Sequence, residues 1–254
     1  MPQFSITCHE SAAAIPREAW RRLCPVNHPF LNVDFLRILE AHGAAGRPCG
    51  WLARHLAATD EDGTVRGLLP LYARFNSHGD FIHDWSWAAA YQQLGRAYYP
   101  KLLSGLPHTP ATGPRFLIDP ADEDRSAIRQ ALLDGVMALA AEYGVSSWHV
   151  AFPDDEDRNA LHDAGLLTSR NVQFQWLAGG CRDFDDYLAT FTAEKRRKVR
   201  AERRRVADSG LVIETRHGDE VDPAEWPALH ALYASTFDKF GNYPVLTPAC
   251  LTEQ

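Results

Sequence analysis

Hydrophobic and polar positions along the chain switch between a helical and an alternating period, and those switches mark its elements. Near the start, "REAWRRL" and "NVDFLRILEAHG" space apolar residues for two short helices, the second opened by Asn32 or Asp34 and closed by Gly43. "CGWLARHLAA" and "VRGLLPLYARF" are apolar runs around the turn-like "TDEDGT", which predicts a hairpin that begins a sheet. "YYPKLLSGL" predicts a strand with Pro100 near its start, where a missing N–H is tolerated. Ile128, Leu132, Val136, Leu139 and Tyr143 then recur at helical spacing before Gly144, so a long helix follows. "SSWHVAF" reads as a buried strand, "DDEDRNALHDAG" as a short helix stopped by Gly165, and "RNVQFQWL" as another strand.

Strands interleaved with helices in this way predict an α/β protein, a mixed sheet with helices packed on its faces. Beyond Gly179 and Gly180, the residues Phe184, Leu188, Phe191, Val199 and Val206 fall on one side of a single helix that Gly210 ends. "LVIETR" then reads as a strand and "AEWPALHALYASTFDKF" as a helix, with no sheet completed after Arg216. The expected organisation is a first domain over 1–179, a linker helix over 180–210, and over 211–254 the opening of a second, incomplete domain.

Composition narrows the class. With 254 residues, 45% of them hydrophobic and 23% charged, the chain has the make-up of a soluble globular protein. The opening "MPQFSITCHE" lacks a basic stretch followed by an apolar one, and no apolar run approaches the roughly 20 residues that cross a bilayer. A cytoplasmic location without a transmembrane segment is the expectation. Cys8, Cys24, Cys49, Cys181 and Cys250 are scattered and form no C-x-x-C pair, which predicts reduced thiols and neither a metal site nor a disulfide framework.

The net charge of -7 argues against general nucleic-acid binding, yet "KRRKVRAERRR" gathers positive charge between Lys195 and Arg205. Guanidinium groups grip phosphates bidentately, so Lys195, Arg196, Arg197, Arg203 and Arg204 are candidates for contact with a nucleotide, a tRNA backbone or an anionic lipid. A solvated helix face is the alternative reading.

In "LPHTPATGPRF", Gly113 permits close backbone approach, the prolines stiffen the turn, and Arg115 offers a fork for phosphate or carboxylate. The acids Asp119, Asp122, Glu123 and Asp124 that follow repel a pyrophosphate, so the loop binds another part of a substrate or braces the sheet. If "YYPKL" is extended, Tyr99 and Lys101 share one face and Tyr98 takes the other. A tyrosine can act as a general acid and a buried lysine can shift its pKa, with packed tyrosine and exposed lysine as the alternative. In "HDWSW", Asp84 and His83 are acid–base candidates and Trp85 and Trp87 could wall a pocket, although adjacent residues on extended backbone point apart. His149 reads as a core histidine. "QQLGRA" fits the Q/R-x-x-G-x-G/A pattern of acyl-CoA acetyltransferases but precedes a strand instead of opening a helix, so it reads as coincidence. No G-x-S-x-G elbow, Walker loop, H-E-x-x-H or kinase signature occurs, which leaves hydrolase, ATPase and zinc-protease readings unsupported.

Taken in order, "HDWSWAAAYQQLGRAYYPKLLSGLPHTPATGPRFLI", "WHVAFP", "RNVQFQW" and "FDDYLATFTAEKRRKVRAERRRV" resemble the FemAB-like branch of the GNAT acyltransferase superfamily, peptidoglycan biosynthesis or recognition proteins, from about Phe81 to Trp226. The sequence departs from that pattern at His83 and His108, where phenylalanine is usual, and at Ala89, where aspartate is common. The resemblance implies tandem GNAT-like domains and transfer of an acyl or aminoacyl group to an amine. The donor would be acetyl-CoA or aminoacyl-tRNA, with no cofactor bound permanently, and the acceptor a muropeptide or other small amine. On that reading Asp84, Trp85, Tyr99, Lys101, Thr109, Thr112, Gly113 and Arg115 line the substrate groove, and Arg115 holds an anionic group. The catalytic base is left unassigned, and a recognition module without turnover is the rival reading.

Overall fold

The computed structural model describes residues 3–24 and 28–253. The chain forms two compact units, Met1–Leu167 together with Asp222–Gln254, and Thr168–Val221. This is not the division at 179 and 210 expected from the sequence, because the segment after Asp222 packs with the first unit.

The first unit holds two sheets. β1 (Ser5–His9), β3 (His55–Thr59), β4 (Val65–Leu69) and β7 (Leu117–Ile118) form one, in the order β1-β3-β4-β7, antiparallel throughout. β2 (Trp51–Ala53), β5 (Tyr72–Arg74), β6 (Lys101–Ser104) and β8 (Trp148–Val150) form the other in the order β2-β5-β6-β8, with β6 and β8 parallel. The predicted hairpin is present, but each arm passes from one sheet to the other. The arms change sheet at Arg54 and at Pro70–Leu71, where the bond from Arg54 N–H to the Leu71 carbonyl (2.8 Å) still ties them together. Pro70 has no N–H to offer a ladder, which suits the break.

Helices cover the first sheet on both faces. α4 (Arg125–Tyr143), the predicted long helix ended by Gly144 in the left-handed region, presses Ile128, Leu132 and Val136 onto Leu56, Ala58, Leu69 and Ile118. Contact is close enough that a β-carbon on Gly67 would lie 2.5 Å from Ile128, so glycine is required there. α1 (Arg17–Leu23) and α2 (Val33–Ala41) bring Trp20, Leu23, Val33 and Leu36 against Ala57, Leu68 and Leu117 on the opposite face. Alternation along β3 and β4 thus feeds two cores. The mixed-sheet α/β architecture agrees with the sequence reading.

The second sheet sends Ala73 and Leu102 into the α4 core and Trp51, Ala53, Tyr72 and Leu103 into a third cluster. α3 (Trp85–Gln93) follows a loop over 75–84, and α5 (Asp155–Asp163) is capped by Asp154. α8 (Trp226–Phe240) and α9 (Pro248–Thr252) close the unit, with Cys250 buried in the third cluster.

The second unit contains α6 (Phe184–Ala189) and α7 (Ala193–Ala207). The single helix predicted over this stretch breaks at Thr190–Thr192, because Thr192 turns extended and accepts from Lys195 N–H as the N-cap of α7. Neither "RNVQFQWL" nor "LVIETR" forms a strand. Phe174 is 96% exposed and Val212 82%, so alternation here has no sheet to pair with or core to enter. Among the described residues no helix is long and apolar enough to cross a membrane.

Candidate functional site

Register across the second sheet sets the site. Trp51 pairs with Arg74 and Arg74 with Lys101, while Ala53, Tyr72, Leu103 and His149 line up two residues along, beyond the intervening rank of Leu52, Ala73, Leu102 and Trp148 that faces the other way. Directly opposed residues share a face, so Trp51, Arg74, Lys101 and His149 stand on one side of the sheet. The loop over 75–84 lies across them. Arg74 and Lys101 are both fully buried, an expensive placement for a cation unless each is paired or hydrogen-bonded.

Lys101 Nζ donates to Ser77 Oγ (2.8 Å), to Asp80 Oδ2 (2.9 Å) and to Asp84 Oδ2. Arg74 donates to the carbonyls of Gly50 (2.5 Å) and His78 (2.7 Å) and to Asn76 Oδ1 (3.2 Å), with its guanidinium 3.5 Å from the centre of the Trp51 ring. The two cations therefore pin the loop, and two carboxylates balance them. Burial opposes ionisation of Asp84, but hydrogen bonds from Lys101, Ser77 and Tyr98 and the Lys101 charge outweigh it, holding the carboxyl down at about 2. Burial lowers the Arg74 pKa to about 10, so the group stays charged.

Tyr98 Oη donates to Asp84 Oδ2 (2.6 Å) and stands 3.2 Å from His149 Nε2. Tyr99 Oη meets Ser77 Oγ at 2.8 Å. Both rings lean on the same lysine, with Nζ 5.7 Å from the Tyr98 centroid and 5.9 Å from that of Tyr99. The expectation that they face opposite ways fails because β6 begins only at Lys101, so strand alternation does not reach back to them. Burial and the Asp84 carboxylate raise the Tyr98 pKa, keeping the phenol protonated. Asp84 Oδ1 is buried with no hydrogen-bond partner among the described residues.

Other expected site residues lie elsewhere or do other work. Arg115 is fully buried and spends all five N–H donors on backbone carbonyls: Nε on Ala151 (2.9 Å), Nη1 on Gly113 and Pro114 (both 3.1 Å), Nη2 on Ala111 (2.7 Å) and Phe152 (3.0 Å). The anion-holding role expected of it is corrected on that ground, since nothing is left to offer a substrate. Arg115 instead staples the loop over 111–115 to the chain leaving β8. Its own N–H and that of Phe116 reach Asp157 (2.5 and 3.0 Å). Gly113 is buried too, and the space a β-carbon would fill is taken by the His28 ring, whose Nε2 lies 3.2 Å from the Thr112 carbonyl. Thr109 Oγ1 donates to the Pro107 carbonyl (3.1 Å). This loop braces the sheet.

Trp85 opens α3 half-exposed, 5.3 Å from the His78 ring, and Trp87 is exposed on the same helix. His83 is exposed and Asp84 buried, so the two do not pair; the reason is the left-handed backbone at His83, with φ 59°, not the extended backbone expected. "QQLGRA" sits where α3 ends, so helix-start N–H groups are not available to it. His149 is half-buried at an edge strand and hydrogen-bonded, unlike the core histidine expected.

In the second unit, Tyr187 collects Trp176, Phe184 and Phe191 at centroid distances of 5.3, 5.6 and 4.8 Å. Arg203 lies 4.2 Å from the Phe184 centroid, Lys195 lies 5.6 Å from that of Phe191, and Arg196 donates to the Phe191 carbonyl (3.1 Å). Part of the basic face thus packs on α6 and its aromatics, while Arg197 and Arg204 remain exposed.

The sequence matches the family described as FemAB-like, peptidoglycan biosynthesis/recognition, over residues 11–253. The chain belongs to this FemAB-like family. The match reaches well beyond the stretch from Phe81 to Trp226 that carries the resemblance, taking in α1, α2 and the hairpin. No curated protein matches the chain. Among solved structures, the aminoglycoside 6'-N-acetyltransferase AAC(6')-Ih from Acinetobacter baumannii aligns with 70% of this chain and 100% of its own, at 18% identity and a TM-score of 0.41.

Proposed function

We propose that this FemAB-like chain transfers an acyl or aminoacyl group to an amine, with a muropeptide or a related small molecule as acceptor. The observation that carries the reading, beside the family, is the buried Lys101–Asp80–Asp84 cluster with one carboxylate oxygen of Asp84 unpartnered. Ionised side chains are costly to bury, and an unpaired carboxylate oxygen more so, which is the pattern of a site built to receive a donor group such as an amine. Acetyl-CoA or aminoacyl-tRNA would supply the acyl group. Asp84, Trp85, Tyr99 and Lys101 stay in the proposed site, while Arg115, Gly113, Thr109 and Thr112 serve as its scaffold.

Incubation with acetyl-CoA and a muropeptide bearing a free side-chain amine tests this, with product mass as the readout. An acetylated muropeptide supports transfer. A second reading, recognition without turnover, is favoured by the self-saturated Arg115 loop, which offers no anion site at the place the sequence suggested one. Saturable muropeptide binding with no product from acetyl-CoA or from aminoacyl-tRNA would establish it. The exposed Arg197 and Arg204 would matter for a tRNA donor, and strong salt dependence of tRNA binding would be its signature.

A further inference from the structure

The hydroxyl protons of the cluster fall into a chain that leaves one imidazole nitrogen of His149 without a partner among the described residues. Tyr98 Oη gives its one proton to Asp84. Ser146 Oγ gives its proton to the Tyr98 carbonyl, so towards Ser147 Oγ (3.2 Å) it can only accept. The 3.2 Å contact between the two hydroxyls then has a proton only if Ser147 supplies it. Both oxygens around His149 Nε2, Tyr98 Oη at 3.2 Å and Ser147 Oγ at 2.9 Å, are then acceptors, and Nε2 must carry the hydrogen. The opposite tautomer would leave two contacts in this chain with no proton between them. Nδ1 accordingly holds the lone pair. It has no hydrogen-bond partner among the described residues and is not among their buried unpartnered atoms.

We propose that His149 is the general base of the transfer reaction, with Asp84, Tyr98, Ser146 and Ser147 as positioning residues that hold its Nδ1 free. The proposal rests on the transferase reading above. As the amine nitrogen attacks the acyl carbonyl carbon, a C–N bond forms and the thioester C–S or ester C–O bond breaks, the electron pair leaving on sulfur or oxygen. The amine proton passes to Nδ1, and the imidazolium returns it to the leaving group. Tyr98 and Asp84 then stabilise the imidazolium through Nε2–H, as a carboxylate does in hydrolytic triads. Burial and the Lys101 charge lower the His149 pKa, against the opposing pull of Asp84 and Asp80, which keeps the ring neutral and ready to accept at pH 7.

The test joins nitrogen NMR of the ¹⁵N-histidine-labelled full chain with the acetyl-CoA and muropeptide assay. The expected result is a neutral Nε2–H tautomer for His149 and a transfer rate that rises with pH through the pKa read by NMR. H149Q should lose that dependence and about 10²-fold in rate, and Y98F should move the pKa of the profile and lower the rate by less than H149Q does. An Nδ1–H tautomer in the unmodified chain overturns the proposal without any variant. A folded H149Q with the unmodified pH profile overturns it while transfer itself stands. No transfer by the unmodified chain from either donor class brings down both readings.

Discussion

Lys101→Met is the sharpest probe of the buried cluster. In the native arrangement Arg74 and Lys101 face Asp80 and Asp84, two charges of each sign, and all four residues are 4% exposed or less. Removing Lys101 leaves one carboxylate without a counter-charge in a place that water does not reach. Breaking a buried pair on one side costs about 3–5 kcal/mol, which at about 2–4 °C per kcal/mol for a unit of this size lowers Tm by about 6–20 °C. The pH dependence should invert as well. In the unmodified protein the Asp84 pKa is depressed from 3.8 to about 2, so its contribution is complete above pH 3.8 and is lost as pH falls toward 2. Without Lys101, desolvation prevails and the folded pKa rises above the unfolded value, so the variant loses stability as pH increases from 3.8 toward that raised pKa. Urea unfolding at a series of pH values measures both effects. The matched D84N/K101M pair, which restores one charge of each sign, should recover most of the loss. K101M as stable as the parent at pH 7, or with an unchanged acid limb, would refute the idea that this charge balance holds the loop.

Arg115→Lys should destabilise the first unit by about 3–6 kcal/mol in urea titration, because an ammonium has three donors for five carbonyls and each of the two lost bonds to a charged group is worth about 1.5–3 kcal/mol. A folded R115A of parental stability that bound a muropeptide more weakly would instead restore the anion-site expectation. Gly113→Ala should cost about 1–3 kcal/mol by driving the new methyl into His28, and replacing His28 with glycine in the same chain should recover part of it. Glu40 accepts from Ala12 N–H, Tyr72 Oη and His55 Nε2 (2.8, 2.9 and 2.8 Å); burial raises its pKa, but these bonds and the His55 interaction leave it lowered overall. Its stabilisation is therefore present above the normal carboxyl pKa and lost as pH falls through the depressed one, and E40Q should lack that acid-side component in thermal melts.

Periodicity carried the elements of the first unit well. The α4 face, the Gly144 cap, the hairpin turn and the start of β6 after Pro100 all follow from local rules that hold wherever such residues occur. It failed where strand formation depends on a partner: 172–177 and 211–216 have the alternation of strands and none of the pairing. β7 is only two residues long and could not be seen as a period. The family was also legible, in motifs that lie in order along the chain. The site was legible in its parts alone. Asp84, Tyr99 and Lys101 could be singled out, but Asp80, Ser77 and Tyr98 had no pattern that joined them, because their separations in sequence reflect the path of a loop.

By itself, then, the sequence determined the α/β class, the long helix, the family and a shortlist of polar residues, since these depend on local propensity and on order. Only the tertiary structure decided what the shortlisted residues do. Arg115 and Lys101 are both basic residues near a strand, yet one is saturated by five carbonyls while the other sits between two carboxylates, a difference set by sheet register and by a loop folding over it. The same holds for His149. Its tautomer follows from a chain of hydroxyl protons through Ser147, Ser146, Tyr98 and Asp84, and side-chain protons can be counted only once the groups that share them stand next to one another.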